Sequence, residues 1–148
     1  MSWQIIRPQI KTLLSTISTL QEVTTSPTMK FQGYPSAHVI PSANESAYET
    51  TTENVRTYAF TIRVFYETKH TGVGEALSAL EEVVDSILDL FDQEDLKGSD
   101  TRTVGINLPS GYTFLNMWAI PSTWGEVSDQ ELIMSEIIVK VRLSRDIS

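Results

Sequence analysis

The sequence contains no cysteine. That excludes disulfides, thiolate nucleophiles and cysteine metal ligands, and it suits a cytosolic protein. Long hydrophobic runs are missing as well. No apolar stretch approaches the roughly eighteen residues a membrane helix needs, and the opening MSWQIIRPQIK lacks the continuous apolar centre of a signal peptide. Cations are scarce: 11 Lys and Arg stand against 19 Asp and Glu, a formal net charge of −8. Such a balance argues against phosphate attraction as the means of holding DNA or RNA. Histidine occurs only at positions 38 and 70, neither with a second His or Cys at ligand spacing. A Gly-x-Ser-x-Gly nucleophile turn is also absent.

What is present is an ordinary globular composition, 41% hydrophobic over 148 residues. At this length the size prior gives one domain, residues 1–148, burying about two thirds of the surface its unfolded chain exposes.

The most informative stretch runs from Asn54 to Asp92. Tyr58, Phe60, Ile62, Val64 and Tyr66 fall on one side of an extended chain, with Thr57, Ala59, Thr61 and Arg63 on the other. A period of two, rich in β-branched and aromatic residues, is a half-buried strand. After Lys69 the period becomes helical. Val73, Ala76, Leu77, Leu80, Val83, Val84, Ile87, Leu88 and Phe91 form one stripe, with Glu75, Glu81, Glu82, Asp85, Asp89 and Asp92 mostly on the other face. A Gly-marked turn at Gly72 and Gly74 joins the two elements. The expected core is Leu77, Leu80, Val84 and Ile87 of the helix, Phe60, Ile62 and Val64 of the strand, and Ile137 and Val139 of the last strand. Residues 54–66 span roughly 43 Å as a strand, and residues 73–92 roughly 30 Å as a helix. Some of the strand should therefore project beyond the helix that covers it.

The other elements follow in order. Residues 3–22 predict a first helix, with Pro8 in its first turn, where a missing N–H matters least. Residues 24–28 form a loop. Residues 36–40 form a short strand stopped by Pro41, and the polar stretch 42–53 forms a long connection or arm. Residues 112–120 form a third strand stopped by Pro121, 124–129 a hairpin connection, and 131–143 the last strand. The expectation is an α+β fold of order α-β-β-α-β-β. Its mainly antiparallel four-stranded sheet carries both helices on one face and a projecting hairpin or loop.

Each candidate for chemistry has a plainer reading. Gly72 and Gly74 lack both the third glycine of a dinucleotide turn and the Lys-Ser/Thr of a phosphate loop. Glu81, Glu82, Asp85 and Asp89 share a helix face that points to water, the ordinary solvated side of an amphipathic helix. Asp92, Glu94, Asp95 and Asp100 do not follow the calcium-loop pattern. Asn44-Glu45-Ser46 matches the glycosylation sequon without any sign of secretion. Trp3, Trp118 and Trp124 lack the interleaved basic residues of a stacking surface. No catalytic residue, metal site or cofactor is expected, which moves the weight from enzyme to interaction protein.

Gly33-Tyr34-Pro35-Ser36-Ala37-His38-Val39-Ile40-Pro41, then Asn44-Glu45-Ser46 and Arg56-Thr57-Tyr58-Ala59-Phe60, resembles the tail terminator and tail completion proteins of long-tailed bacteriophages. In that family a G-x-P-x-x-x-V-x-P strand, a polar loop, an R-x-Y-x-F strand and an acidic amphipathic helix occur in this order. The resemblance covers residues 5–143 by element order and 33–66 by local sequence. It implies a homo-oligomer, a hexameric ring that caps the tail tube, stops its polymerisation and presents a surface to the head-side connector protein. It also implies that DNA passes through the ring without specific binding, that no membrane is involved, and that the protein sits at the head-proximal end of the virion tail after assembly in the host cytoplasm. The family has no catalytic residues to carry over. The expected subunit contacts lie on the overhanging strand and arm: Asn44, Glu45, Tyr48, Glu49, Asn54, Arg56 and Tyr58. The same residues leave open a head–tail connector or other neck protein, and, from another class, a small-molecule-binding or enzymatic α/β domain.

Overall fold

Two neighbouring strands with matched alternation build the centre of the fold. The computed structural model describes residues 2–27, 31–48, 53–69, 72–91, 108–127 and 131–146. The elements are α1 (Ser2–Leu14), β1 (Glu22–Thr24), β2 (Ser36–Tyr48), β3 (Glu53–Glu67), α2 (Val73–Phe91), β4 (Tyr112–Val127) and β5 (Leu132–Asp146). The sheet order is β1-β2-β3-β5-β4. β3 and β5 pair antiparallel from Glu53–Asp146 to Glu67–Leu132 without a register shift. Because side chains alternate across a strand, every second residue of this ladder reaches the same side. Val39, Ile62 and Ile137 lie in one row, and Phe60 faces Val139 one row on. All of them are buried, in one cluster with Val64 of β3, Ile6, Ile10 and Leu14 of α1, and Leu80, Val84, Ile87 and Phe91 of α2. Both helices therefore cover a single face of the sheet.

The sheet is mixed rather than a four-stranded antiparallel one. β1 pairs parallel to β2, Val23 opposite Ala37. At three residues it is too short to display an alternation, so only its partner reveals it. The first helix is likewise shorter than residues 3–22 suggest. It ends at Leu14, where hydroxyls turn back onto the backbone: Thr12 Oγ1 donates to the Pro8 carbonyl at 3.0 Å and Ser15 Oγ to the Lys11 carbonyl at 2.8 Å. Such bonds compete with helix continuation. Ile17 and Leu20 still pack against the core from the following turn. Pro8 is inside the helix, not in its first turn, and it lies on the exposed side together with Gln4.

Neither Pro41 nor Pro121 stops its strand. β2 runs on to Tyr48 and β4 to Val127, each with a register shift in the next two residues, Pro41/Ala43 and Pro121/Thr123. A proline lacks only the outward N–H when its strand has no neighbour on that side. β1 pairs with β2 no further than His38, and β4 is the last strand in the described sheet. The bulges then absorb the local mismatch.

The stretch 42–53 is thus largely strand, and the expected projecting arm is not isolated. β5 accompanies β3 to its first residue, and Tyr48 pairs with Asn54 at the hairpin end. The sheet as a whole is tall, so β3 stands among neighbours of similar length instead of overhanging alone.

Leu77 is a correction to the expected core. It is 41% exposed and Val73 is 50% exposed, while Ala76, Leu80, Val83, Val84, Ile87 and Phe91 are buried. Leu77 lies one step round the helix from Ala76, at the margin of the stripe. Val73 belongs to the first turn of α2. Leu80→Ala is expected to cost about 2–5 kcal/mol, the usual range for a buried leucine, and Leu77→Ala about 1 kcal/mol or less. Denaturant unfolding of both variants checks this, and equal losses would contradict the helix orientation.

Candidate functional site

The face of the sheet turned away from the two described helices carries a row of polar side chains that strand alternation directs away from the main core. One row crosses four strands: His38 on β2, Arg63 on β3, Glu136 on β5 and Thr123 on β4. Arg63 Nε bonds Glu136 Oε1 at 3.0 Å, and Thr123 Oγ1 lies 3.5 Å from Oε2. His38 is buried, with its ring 5.3 Å from that of Phe65, which in turn packs 5.8 Å from Phe31. The segment before β2 therefore folds over this end of the face, and Pro27 and Met134 complete a cavity of about 330 Å³. The carboxylate that could act as a base is already held by a guanidinium, and the imidazole is buried with its ring against Phe65. At 36% and 21% side-chain exposure, the ion pair is worth at most about 1 kcal/mol. The row ties strands together across the sheet.

Further along the same face the residues change character. Ile40, Thr61, Ile138 and Ile120 form one row across the sheet, and Ile120 is 42% exposed. Lys140 lies opposite Trp118, and Arg142 opposite Thr57. Among the described residues no helix packs on this face.

A second feature lies where α2 begins. Val73, Leu77 and Trp124 are exposed and, with Leu80, Ile133 and Met134, line a groove of about 220 Å³. Gly125, opposite Met134, leaves the groove open on the strand side. At the entry to α2, Gly72 adopts φ 78°, a backbone conformation that favours glycine, and its carbonyl accepts the Ala76 N–H at 3.1 Å. These glycines form a turn and a helix start.

The residues expected at subunit contacts divide three ways. Tyr58 is 3% exposed and stacks edge-on against Trp3 at 4.8 Å, so its ring belongs to the core of its own chain; this corrects its assignment as a contact. Arg56 is half-buried and donates from Nη1 to the Tyr58 hydroxyl at 3.2 Å. Asn44, Glu45, Tyr48 and Asn54 have strand positions near the hairpin end, while Glu49 lies outside the described residues. So do His70 and the acidic stretch 92–100. Among the described residues no group of three or more His, Asp or Glu could hold a metal ion, and no helix is long and apolar enough to cross a membrane.

No family model matches the chain, and no curated protein matches its sequence. A solved structure does share the fold: a chain from the virion of a native gene transfer agent particle, 16% identical, with a TM-score of 0.57. The match covers 95% of this chain and 96% of that one.

The groove beside α2 yields a direct check. Val73→Ser and Trp124→Ser should each change the unfolding free energy by about 1 kcal/mol or less while lowering the binding of an apolar fluorescent dye. A loss of several kcal/mol would mean that these side chains are core.

Proposed function

We propose that this chain is a structural virion protein, a tail terminator that forms a ring over the end of the tail tube. The observation that carries the reading is the end-to-end likeness of its fold to a chain of a gene transfer agent virion. The local resemblance over residues 33–66 adds the terminator assignment. In this reading the protein works by contact. Its subunits close into a hexameric ring through heterologous surfaces, since such surfaces generate rings when the rotation closes. One side of the ring stops polymerisation of the tail tube protein, and the other receives the head-side connector protein. The ring sits at the head-proximal end of the tail. DNA passes through without specific binding, in keeping with a net charge of −8 per chain. No reaction is assigned to it.

Particles assembled without this protein provide the test. Electron microscopy is expected to show tails of irregular, extended length that fail to join heads. Tails of normal length joined to heads would overturn the reading. Normal-length tails left unattached, with the protein located against the portal in complete particles, would assign it to the neck as a connector instead.

A further inference from the structure

The cavity over β2, β3 and β5 is built differently from a plain strand junction. Two successive rows of the sheet make its floor, Arg63 with Glu136 and then Phe65 with Met134. The buried His38 stands beside Arg63 as one wall, and Pro27 adds to the lining from the segment between β1 and β2. Three neighbouring strands span about 10 Å and two rows about 7 Å, a floor broad enough for one or two fused flat rings. At about 330 Å³ the space falls at the small end of ligand sites, which run from about 300 to 1,000 Å³.

Apolar and polar groups keep to separate rows. Phe65 and Met134 supply a ring and a thioether, both of which pack well against an aromatic ligand. The other row supplies hydrogen bonds. Arg63 donates to Glu136 from Nε at 3.0 Å. Among the described residues this is its one hydrogen bond, so the donors on both Nη atoms remain for an acceptor. Glu136 Oε2 lies 3.5 Å from Thr123 Oγ1, and a carboxylate oxygen accepts more than one donor. A fork of donors and an acceptor therefore stand side by side.

Charge narrows the choice of ligand. Arg63 and Glu136 balance each other, and Glu22 and Glu67 lie on the same side of the sheet, so an anion is repelled on balance. A cation that reached Glu136 would lie against the Arg63 guanidinium. A neutral polar group avoids both costs and leaves the ion pair intact.

We propose that this cavity is a binding site for a small, neutral, flat ring with a carboxamide edge. Its carbonyl accepts from an Arg63 Nη, its N–H donates to Glu136, and its ring lies on Phe65 and Met134. The adjoining acceptor and donor of an amide match the two members of the ion pair, which neither a carboxylate nor an amidinium can do. The site does not depend on the ring of subunits and stands or falls without it.

Benzamide, benzoate and benzamidine are neutral, anionic and cationic versions of one shape, and titrating each into the full chain by NMR tests the assignment. Benzamide is expected to give saturable shifts in the amide signals of residues 63–65 and 134–136. Both charged compounds should bind about tenfold more weakly or not at all, since each sets a like charge beside Arg63 or Glu136. Arg63→Lys keeps the positive charge and loses the planar fork, so it should weaken benzamide by about tenfold while the melting curve stays native. Met134→Trp fills the space and should abolish the shifts. Binding of the three compounds with equal affinity, or benzamide binding unchanged in Arg63→Lys, would overturn the proposal. So would the lack of a saturable shift with any of them, or shifts confined to the groove at Val73, Leu77 and Trp124.

Discussion

The fold depends on one continuous ladder. β3 and β5 pair without interruption, and their inward residues, Phe60, Ile62 and Val64 against Ile137 and Val139, form the wall on which both helices close. A one-residue slip would send this whole set to the other face, so register and burial enforce each other. The irregularities are displaced outward, to β2 and β4 on either side. There a bulge costs local pairing and leaves the central ladder aligned.

That arrangement explains which parts were legible in the sequence. Alternation in Tyr58–Tyr66 and the stripe from Ala76 to Phe91 report a periodic burial, and periodic burial is what a central strand and a covering helix share with their own sequences. Edge position is different, since it depends on what lies beside a strand. Pro41 and Pro121 therefore read as stops although each strand continues through them, and the polar residues 42–48 read as a loop although they pair with β3. β1 was illegible for a simpler reason: three residues carry no period. Leu77 and Val73 fit the helical stripe, but a stripe does not say where the sheet beneath it ends.

The residues expected at subunit contacts rest on less direct signals. Arg56 and the positions 44–54 were marked by strand length and by resemblance, whereas Tyr58 could be assigned to the core only once Trp3, far away in sequence, was seen against it. The open face offered a weaker signal. Lys140 and Arg142 alternate with Val139, Val141 and Leu143, and such alternation reads equally well as a solvated sheet surface. What singles the face out is the row through Ile40, Ile138 and Ile120, drawn from three strands that no local window spans.

Net charge alone would have hidden this. An excess of acids suggests a uniformly anionic particle, whose copies repel at short range. Yet the Debye length at physiological ionic strength is only about 8 Å, less than the thickness of a helix laid on a sheet. At that range a neighbouring copy meets a particular face, not the total. Five carboxylates are gathered on α2, whereas on the other side of the sheet Arg63, Lys140 and Arg142 alternate along the strands with Glu67 and Glu136, so the charge a neighbour meets is set by the side it approaches and not by the sum.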